Sequence, residues 1–417
     1  MKRGLSLLII IIICMLLSLS GCSGIYSNFR ELERLLVIQT MGIDYAEEGV
    51  GISLASGAKS DGSSPVRLFS TGVSVTGAIA HILSYSQEQE LFLSHTSHVV
   101  LGEEAAKNGI NGYLSYICRS PNLRTDIPLY IVKGGTAQEA VMQVGDGSKG
   151  ISEVLEAVRA NVDERGDSKA FSASELLRDL ERNGSGLICA IECSPSIQEG
   201  GTKQEGGSGS SSGTDSAESP DTTGGSDSGG EKQEQEKRAI TAAAVGYGVI
   251  RGDKLCAYID KEQAIGVGLL LNIVGISDIV VTDRYATPVT LELDQGSSVI
   301  KPVWAEDGSL EMLDIQIKAA ANIAEIGGGG HFGEPDYEDY LTAQLETAVS
   351  ERVSAVIQLS KTLQADFLGL GSIVEMDDAE KYRALGRDFS SLLPGLPVRI
   401  SVSGQIKHTN DIRDEKS

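Results

Sequence analysis

A long stretch of low-complexity sequence interrupts this chain and limits how the rest of it can fold. Between about residues 194 and 238 the sequence contains the run GGSGSSSGTDSAESPDTTGGSDSGG, flanked by Lys, Gln and Glu. Such a segment has too few apolar side chains to offset the entropy that ordering would remove, so we predict that it is disordered. The folded part of the 417-residue chain must therefore come from the sequence on its two sides.

The sequence after this tract favours an insertion within one domain. A hairpin is predicted from AITAAAVGYGVI, the turn Arg251-Gly252-Asp253 and KLCAYI. Two strands are too few to be stable alone, and the nearest partner is the predicted strand SGLICAIEC on the other side of the tract. Each doubling of loop length costs only about 0.6 kcal/mol, so paired strands can carry the tract between them. A tether between two domains is the alternative.

The beginning of the sequence is typical of an export signal. Lys2 and Arg3 precede the apolar run LSLLIIIIICMLLSLS, which is too short for a preferred membrane span of about 20 residues. The run closes with Leu19-Ser20-Gly21-Cys22, which resembles the bacterial lipobox. That resemblance implies that residues 1–21 are a cleaved signal peptide and that Cys22 carries a fatty acyl group such as palmitate. An uncleaved membrane anchor is the alternative.

Charge and composition exclude one class of partner. The chain has 35 Lys and Arg against 58 Asp and Glu, a formal net charge of -23, so it repels phosphate backbones. We therefore expect no nucleic-acid partner. Apolar residues make up 41% of the chain, which is ample for packed cores, and its length predicts about two or three domains.

The order of predicted elements gives the fold class, α/β and α+β in a multidomain chain. We expect three mixed-sheet units with covering helices: an N-terminal α/β domain (22–145), a middle domain with the insertion (146–275), and a C-terminal α+β domain with a long helix (276–408). Residues 409–417 form a polar tail. Within the middle domain, Ser172 and Glu175 have the spacing of a capping box at the start of a helix.

Four cysteines remain after the signal and Cys22 are set aside, namely Cys118, Cys189, Cys193 and Cys256. Cys189 and Cys193 lie on one predicted strand, where four residues span about 13 Å, well beyond the roughly 7 Å limit for a disulfide. No C-x-x-C pair occurs, which argues against zinc. We predict free thiols rather than a disulfide framework.

Candidate catalytic and ligand-binding residues are few. His95 and His98 lie in a run that resembles a strand, which would place them on opposite faces, and Gly327–Gly330 lacks the Lys-Ser/Thr of a phosphate-binding loop. Asp44 and Asp366 are isolated carboxylates at element ends, where turn formation or capping is expected. Neither G-x-S-x-G nor H-E-x-x-H occurs. The sequence therefore predicts no catalytic residue, metal site or cofactor.

Several blocks of sequence resemble one family. RELERLLVIQTMGID (30–44), directly after the lipobox, resembles the start of the Ger(x)C family, the C-subunit lipoproteins of bacterial spore germinant receptors. Three further blocks resemble the same family: SHTSHVVLGEEAAKNGINGYLSYICRSPNLRTDIPLYIVKGGTAQE (94–139), AAAVGYGVIRGDKLCAYIDKEQAIGVGLLLN and LQADFLGLGSI. The acidic Gly/Ser tract and a single tryptophan, Trp304, depart from the family pattern.

The resemblance implies a function as well as a fold. It implies a non-catalytic, three-domain lipoprotein on the outer face of the inner spore membrane, acting with integral-membrane A and B subunits in nutrient-triggered germination. Whether the chain itself binds the nutrient stays open. A solute-binding lipoprotein of an importer is the first alternative, and an exported lipid-anchored enzyme is the second.

Overall fold

The computed structural model describes residues 35–57, 64–85, 90–145, 149–166, 168–195, 240–327, 336–386 and 388–407. The predicted signal peptide, Cys22, residues 196–239 of the Gly/Ser tract, Gly328–Gly330 and the polar tail lie outside the described residues. The predictions made for them are untested by the fold.

In the part of the chain that the structure describes, the first sheet contains nine strands. They are β1 (Leu35–Ala46), β2 (Gly49–Ser56), β3 (Arg67–Gly72), β4 (Glu90–Phe92), β5 (His98–Gly102), β6 (Leu129–Val132), β7 (Ser185–Pro195), β8 (Ile240–Arg251) and β9 (Lys254–Ile259). Their order is β3-β2-β1-β5-β6-β7-β8-β9, and β4 pairs with β1. β1 with β2 and β8 with β9 are joined by two-residue turns and pair antiparallel, as β7 does with β8. In contrast, β1, β5, β6 and β7, which are separated by helices, pair parallel. The sheet is therefore mixed, as predicted.

Helices cover both faces of this sheet. They are α1 (Val75–Tyr85), α2 (Glu103–Asn108), α3 (Asn111–Arg119), α4 (Ala137–Gln143), α5 (Ile151–Arg165) and α6 (Ala173–Asn183). One core unites apolar residues of α1, α3 and α6 with one face of the sheet, and a second core unites those of α4 and α5 with the other. The predicted capping box of α6 is confirmed, because the Ser172 hydroxyl accepts from the Glu175 amide and the Glu175 carboxylate accepts from the Ser172 amide.

Strands on the two sides of the Gly/Ser tract are direct neighbours. β7 and β8 pair antiparallel along their length, ending with the pair Pro195 and Ile240. The predicted pairing of the hairpin with SGLICAIEC is thus confirmed. β6 in turn pairs parallel with β7, so one sheet continues across residue 145. The domain division at 145 and 275 stays a prediction.

The remaining strands form a second, smaller sheet. β10 (Ser277–Thr282), β11 (Pro288–Trp304), β12 (Leu310–Ile326) and β13 (Val398–Lys407) lie in that order, antiparallel except for the parallel pair β12 and β13. The accompanying helices are α7 (Lys261–Leu271), α8 (Tyr337–Leu363), α9 (Leu370–Asp377), α10 (Ala379–Ala384) and α11 (Phe389–Leu392), followed by a 3-10 turn at Leu393–Gly395.

The long helix predicted from its apolar spacing is α8. Its buried stripe includes Leu341, Leu345, Val349, Val353 and Val356, spaced by three or four residues. This stripe packs in one core with α7, the inner face of the second sheet and residues of β7 to β9. Mixed sheets with covering helices confirm the predicted α/β and α+β class.

Candidate functional site: a polar cavity around His98

A polar cavity lies at the end of the first sheet where β5 and β6 begin. Its volume is about 490 Å³. It is lined by Gln39 of β1, residues 94–98, Arg124 and residues 126–128 before β6, and Ser152, Glu153, Glu156 and Arg159 of α5. The parallel pairing of β1 with β5 and of β5 with β6 places these segments together.

The start of α5 is fixed at the cavity wall. The carboxylate of Glu153 accepts a hydrogen bond of 2.9 Å from the amide of Gly150, the residue before the helix. Ile151, Leu155, Val158 and Val162 are the buried side chains that hold α5 against the sheet. Glu156 and Arg159 follow Glu153 at intervals of three residues, which is the spacing of neighbours on one face of a helix.

His98 forms the buried part of the cavity wall. Only 1% of the residue is exposed. Burial lowers the pKa of its imidazole to about 4, with a further lowering by the positive charge of Arg159 and an opposing effect of Glu153. His98 is therefore neutral near pH 7. Its Nε2 lies 3.5 Å from Oε2 of Glu156, and its Nδ1 has no hydrogen-bond partner among the described residues.

Two further buried polar atoms lie on strands adjoining His98. Thr40 of β1 is the register partner of His98, and the ring of Tyr130 on β6 lies 5.8 Å from the imidazole, measured between ring centroids. Neither Oγ1 of Thr40 nor the hydroxyl of Tyr130 has a partner among the described residues. Neither residue lines the cavity, so these two atoms are polar groups of the core next to His98, where an unmade hydrogen bond costs about 1–3 kcal/mol.

The rim of the cavity carries charges of both signs. Arg124 donates to both oxygens of Asp126, from Nε at 2.9 Å and from an Nη at 2.5 Å, and this contact lowers the pKa of Asp126. Among the described residues, Arg159 has an ion pair with Asp163, in which Nε lies 4.0 Å from Oδ2. The side chain of Glu156 is 66% exposed. The Arg124–Asp126 pair is thus satisfied internally, whereas Arg159 and Glu156 keep hydrogen-bonding capacity.

The predicted placement of His95 was wrong. His95 lies in a turn at residues 94–95 and β5 begins only at His98, so the two do not alternate along one strand. The turn is fixed by the amide and hydroxyl of Thr96, which donate to the carbonyl of Leu93 at 2.9 and 2.7 Å. Both histidines consequently line the same cavity. The described residues contain no cluster of three or more side chains suited to a metal ion.

The capping roles predicted for the isolated carboxylates are confirmed. Asp44, at the end of β1, accepts hydrogen bonds from the amides of Ala137 (2.8 Å) and Gln138 (2.7 Å) in the first turn of α4. Asp366 accepts from the amides of Leu370 (2.8 Å) and Gly371 (2.7 Å) in the first turn of α9. Burial raises the pKa of both, to about 7 for Asp366. Both carboxylates are used to start helices.

The four remaining cysteines are free thiols. Cys189 is buried, Cys118 and Cys193 are half-buried, and Cys256 is exposed. Burial raises the pKa of the Cys193 thiol to about 11 and also raises those of Cys118 and Cys256, so none of these three is activated as a thiolate.

Comparisons with known proteins agree with this fold. Residues 28–192 match the family model "Spore germination protein N-terminal domain", and residues 245–410 match "Spore germination B3/ GerAC like, C-terminal". The chain belongs to the Ger(x)C family of spore germination proteins. Membership assigns it a role in germination as part of a germinant receptor.

A solved structure and a search of curated proteins complete the comparisons. The structure described as "Crystal Structure of the GerBC protein" covers 88% of this chain and 97% of its own, with a TM-score of 0.53 and 14% identity. At 14% identity, this similarity shows that the Ger(x)C chain has the same fold as the GerBC structure. None of the curated proteins compared with the chain matches it. In the part of the chain that the structure describes, no helix is both long and apolar enough to span a bilayer.

Sequence reasoning missed the charged residues of the cavity. Arg124, Glu156 and Arg159 come from a loop and a helix that are distant in sequence from β5. The only available signal was the spacing of Glu156 and Arg159, which is equally typical of a solvated helix face. Their relation to His98 depends on the packing of α5 against the sheet.

Proposed function

We propose that the chain is a non-catalytic lipoprotein subunit of a germinant receptor, acting with integral-membrane A and B subunits in nutrient-triggered germination. The observation that carries this proposal is the pair of germination-family matches, which occur in the same order over residues 28–192 and 245–410. The acidic body, with a formal net charge of -23, is consistent with a protein partner rather than nucleic acid.

We further propose that the body is held at the outer face of the inner spore membrane by lipid on Cys22. Support comes from the lipobox-like Leu19-Ser20-Gly21-Cys22. Cys22 precedes the first described strand, which begins at Leu35, by thirteen residues. Even a fully extended connection of that length reaches only about 45 Å. Confinement within this distance of a bilayer raises the effective concentration for an embedded partner, so a weak interface can be occupied.

A scaffold role accounts for the polar groups better than a catalytic one. Asp44 and Asp366 are committed to helix starts, and the raised thiol pKa values keep Cys118, Cys193 and Cys256 protonated near pH 7. A nucleophile needs an adjacent base or a lowered pKa. We therefore propose binding and assembly rather than turnover of a substrate.

Labelling with a fatty-acid analogue tests the anchor. Cys22→Ala is expected to abolish the label and to release the protein from the membrane fraction. Cys14→Ala, a matched change within the apolar run, is expected to leave both unchanged. Retention of label and membrane fractionation by Cys22→Ala contradicts the lipid anchor.

A pull-down tests the receptor role. The detergent-solubilised protein is expected to recover polytopic membrane subunits from spores, and deletion of the gene is expected to slow or abolish germination with a particular nutrient while vegetative growth continues. Recovery of an importer permease instead, or normal germination of a deletion strain without a paralogue, favours a solute-binding lipoprotein.

A further inference from the structure

We propose that the cavity around His98 binds a small zwitterion, with the anionic group of the ligand at Arg159 and its cationic group at Glu156. This site is separate from the lipid anchor and from assembly with membrane subunits. It does not depend on whether either of those proposals holds.

The charges around the cavity separate into used and available groups. Arg124 and Asp126 satisfy each other through two short hydrogen bonds, and Glu153 accepts from the amide of Gly150. Arg159 has its ion-pair partner Asp163 at 4.0 Å, which is too long for a hydrogen bond. Glu156 faces His98 at 3.5 Å, and that imidazole is uncharged near pH 7. Among the described residues around the cavity, the guanidinium of Arg159 and the carboxylate of Glu156 are therefore available to a ligand.

The buried wall contributes the polar character of the site. His98 is 1% exposed and lines the cavity, and its Nδ1 lacks a partner among the described residues. If Nε2 carries the proton toward Glu156, Nδ1 is an acceptor. A buried, uncharged imidazole among the lining residues distinguishes this cavity from a groove formed by surface charges alone.

Side chains of opposite charge that are neighbours on α5 favour a ligand that carries both a positive and a negative charge. Arg159 and Glu156 are three residues apart on α5, so their Cβ atoms lie about 5–6 Å apart. A purely anionic ligand at Arg159 meets repulsion from Glu156, and a purely cationic one at Glu156 meets repulsion from Arg159. A zwitterion is attracted by both. The cavity volume of about 490 Å³ can hold a ligand that has further atoms between or beside its two charged groups.

Calorimetric titration of the purified full chain tests the proposal with three probes of matched length. The probes are 4-aminobutanoate, which has both charges, butanoate, which has only the anion, and butylammonium, which has only the cation. We expect 4-aminobutanoate to bind at least about tenfold more tightly than either singly charged analogue. Equal binding of the three probes, or no heat from 4-aminobutanoate at about 10 mM, overturns the proposal.

Variants on the exposed rim locate the site without disturbing the core. Arg159→Gln and Glu156→Gln are each expected to weaken binding of 4-aminobutanoate by at least about tenfold. Arg178→Gln, which removes an exposed arginine of α6 outside the cavity, is the control and should bind as the wild type does. Unchanged melting temperatures show that all three fold. Binding that survives both rim variants places the zwitterion elsewhere and overturns the assignment.

Discussion

The Nε2 atom of His98 lies 3.5 Å from Oε2 of Glu156, across the contact between β5 and α5. Because burial holds the pKa of His98 at about 4, this contact joins a neutral imidazole to a carboxylate near pH 7. Protonation of His98 would place a positive charge in the core beside Arg159. Glu153 and Glu156 would attract that charge. In the described part of the chain, the neighbouring titratable or charged groups also include His95, Arg124, Asp126 and Tyr130.

We predict that His98 makes folding sensitive to mild acid. Its pKa is about 4 in the folded state and 6.5 ordinarily, so the unfolded chain binds the proton more tightly. The contribution of His98 to stability is present in full above pH 6.5 and is lost as the pH falls from 6.5 to 4. The loss reaches about 3 kcal/mol over that window. Urea unfolding at a series of pH values measures it.

His98→Gln provides the reference for this measurement, because glutamine does not titrate. The variant loses stability near pH 7 for reasons of packing, so the relevant quantity is the pH dependence of its difference from the wild type. That difference should shrink between pH 6.5 and pH 4. A difference that stays constant across the window would show that His98 keeps its ordinary pKa in the folded protein.

The residues around His98 show how far sequence patterns reach. Periodicity predicted α8 because its buried stripe is local, and the capping box at Ser172 needed only four consecutive residues. The contact of His98 with Glu156 joins residues far apart in sequence, and no local pattern encodes it. The turn at residues 94–95 was missed for a related reason. It lies before β5, so His95 and His98 do not alternate between the two faces of one strand as expected.

Asp44 links the end of β1 to the start of α4, and we predict that Asp44→Ala destabilises the fold by about 1–2 kcal/mol. The change leaves the amides of Ala137 and Gln138 without their acceptors. Asp44→Asn keeps one acceptor oxygen and should cost less. Glu48→Ala, at an exposed position in the following turn, should change the free energy of unfolding by less than about 0.5 kcal/mol. Equal effects of Asp44→Ala and Glu48→Ala would contradict the capping role.

Asp366 should respond to pH in the direction opposite to His98. Its folded-state pKa is raised to about 7 from 3.8, chiefly by burial, so its stabilising contribution is complete below pH 3.8 and is lost as the pH rises through 7. Asp366→Asn lacks this titration. We expect the variant to be less stable than the wild type by about 1–2 kcal/mol at pH 5, with a deficit that narrows toward pH 8. Denaturant unfolding at both pH values checks this, and a deficit that widens with pH is the contrary result.

The sheet shows a second limit of sequence reasoning. The domain division at residue 145 stays a prediction, and in the structure β6 pairs parallel with β7, so the sheet continues across that point. The helices α4, α5 and α6 lie between these strands in sequence, and a run of helices does not by itself indicate which strands pair. In space the same stretch is a crossover connection, the usual link between parallel neighbours. Which strands become neighbours is decided by packing that periodicity alone does not describe.

The Gly/Ser tract should be removable without loss of the fold. β7 and β8 pair along their length up to Pro195 and Ile240, and these two residues are register partners, so a short connection can join the strands. Replacing residues 200–230 by a short Gly/Ser loop changes the closure entropy by only about 1 kcal/mol. We expect the melting temperature to stay within about 5 °C of the wild type, as measured by calorimetry. Ala244→Asp, which buries a charge in β8 near the same connection, should lower the melting temperature by more than about 5 °C. A shortened chain that unfolds as readily as Ala244→Asp would mean that the tract contributes to the folded core.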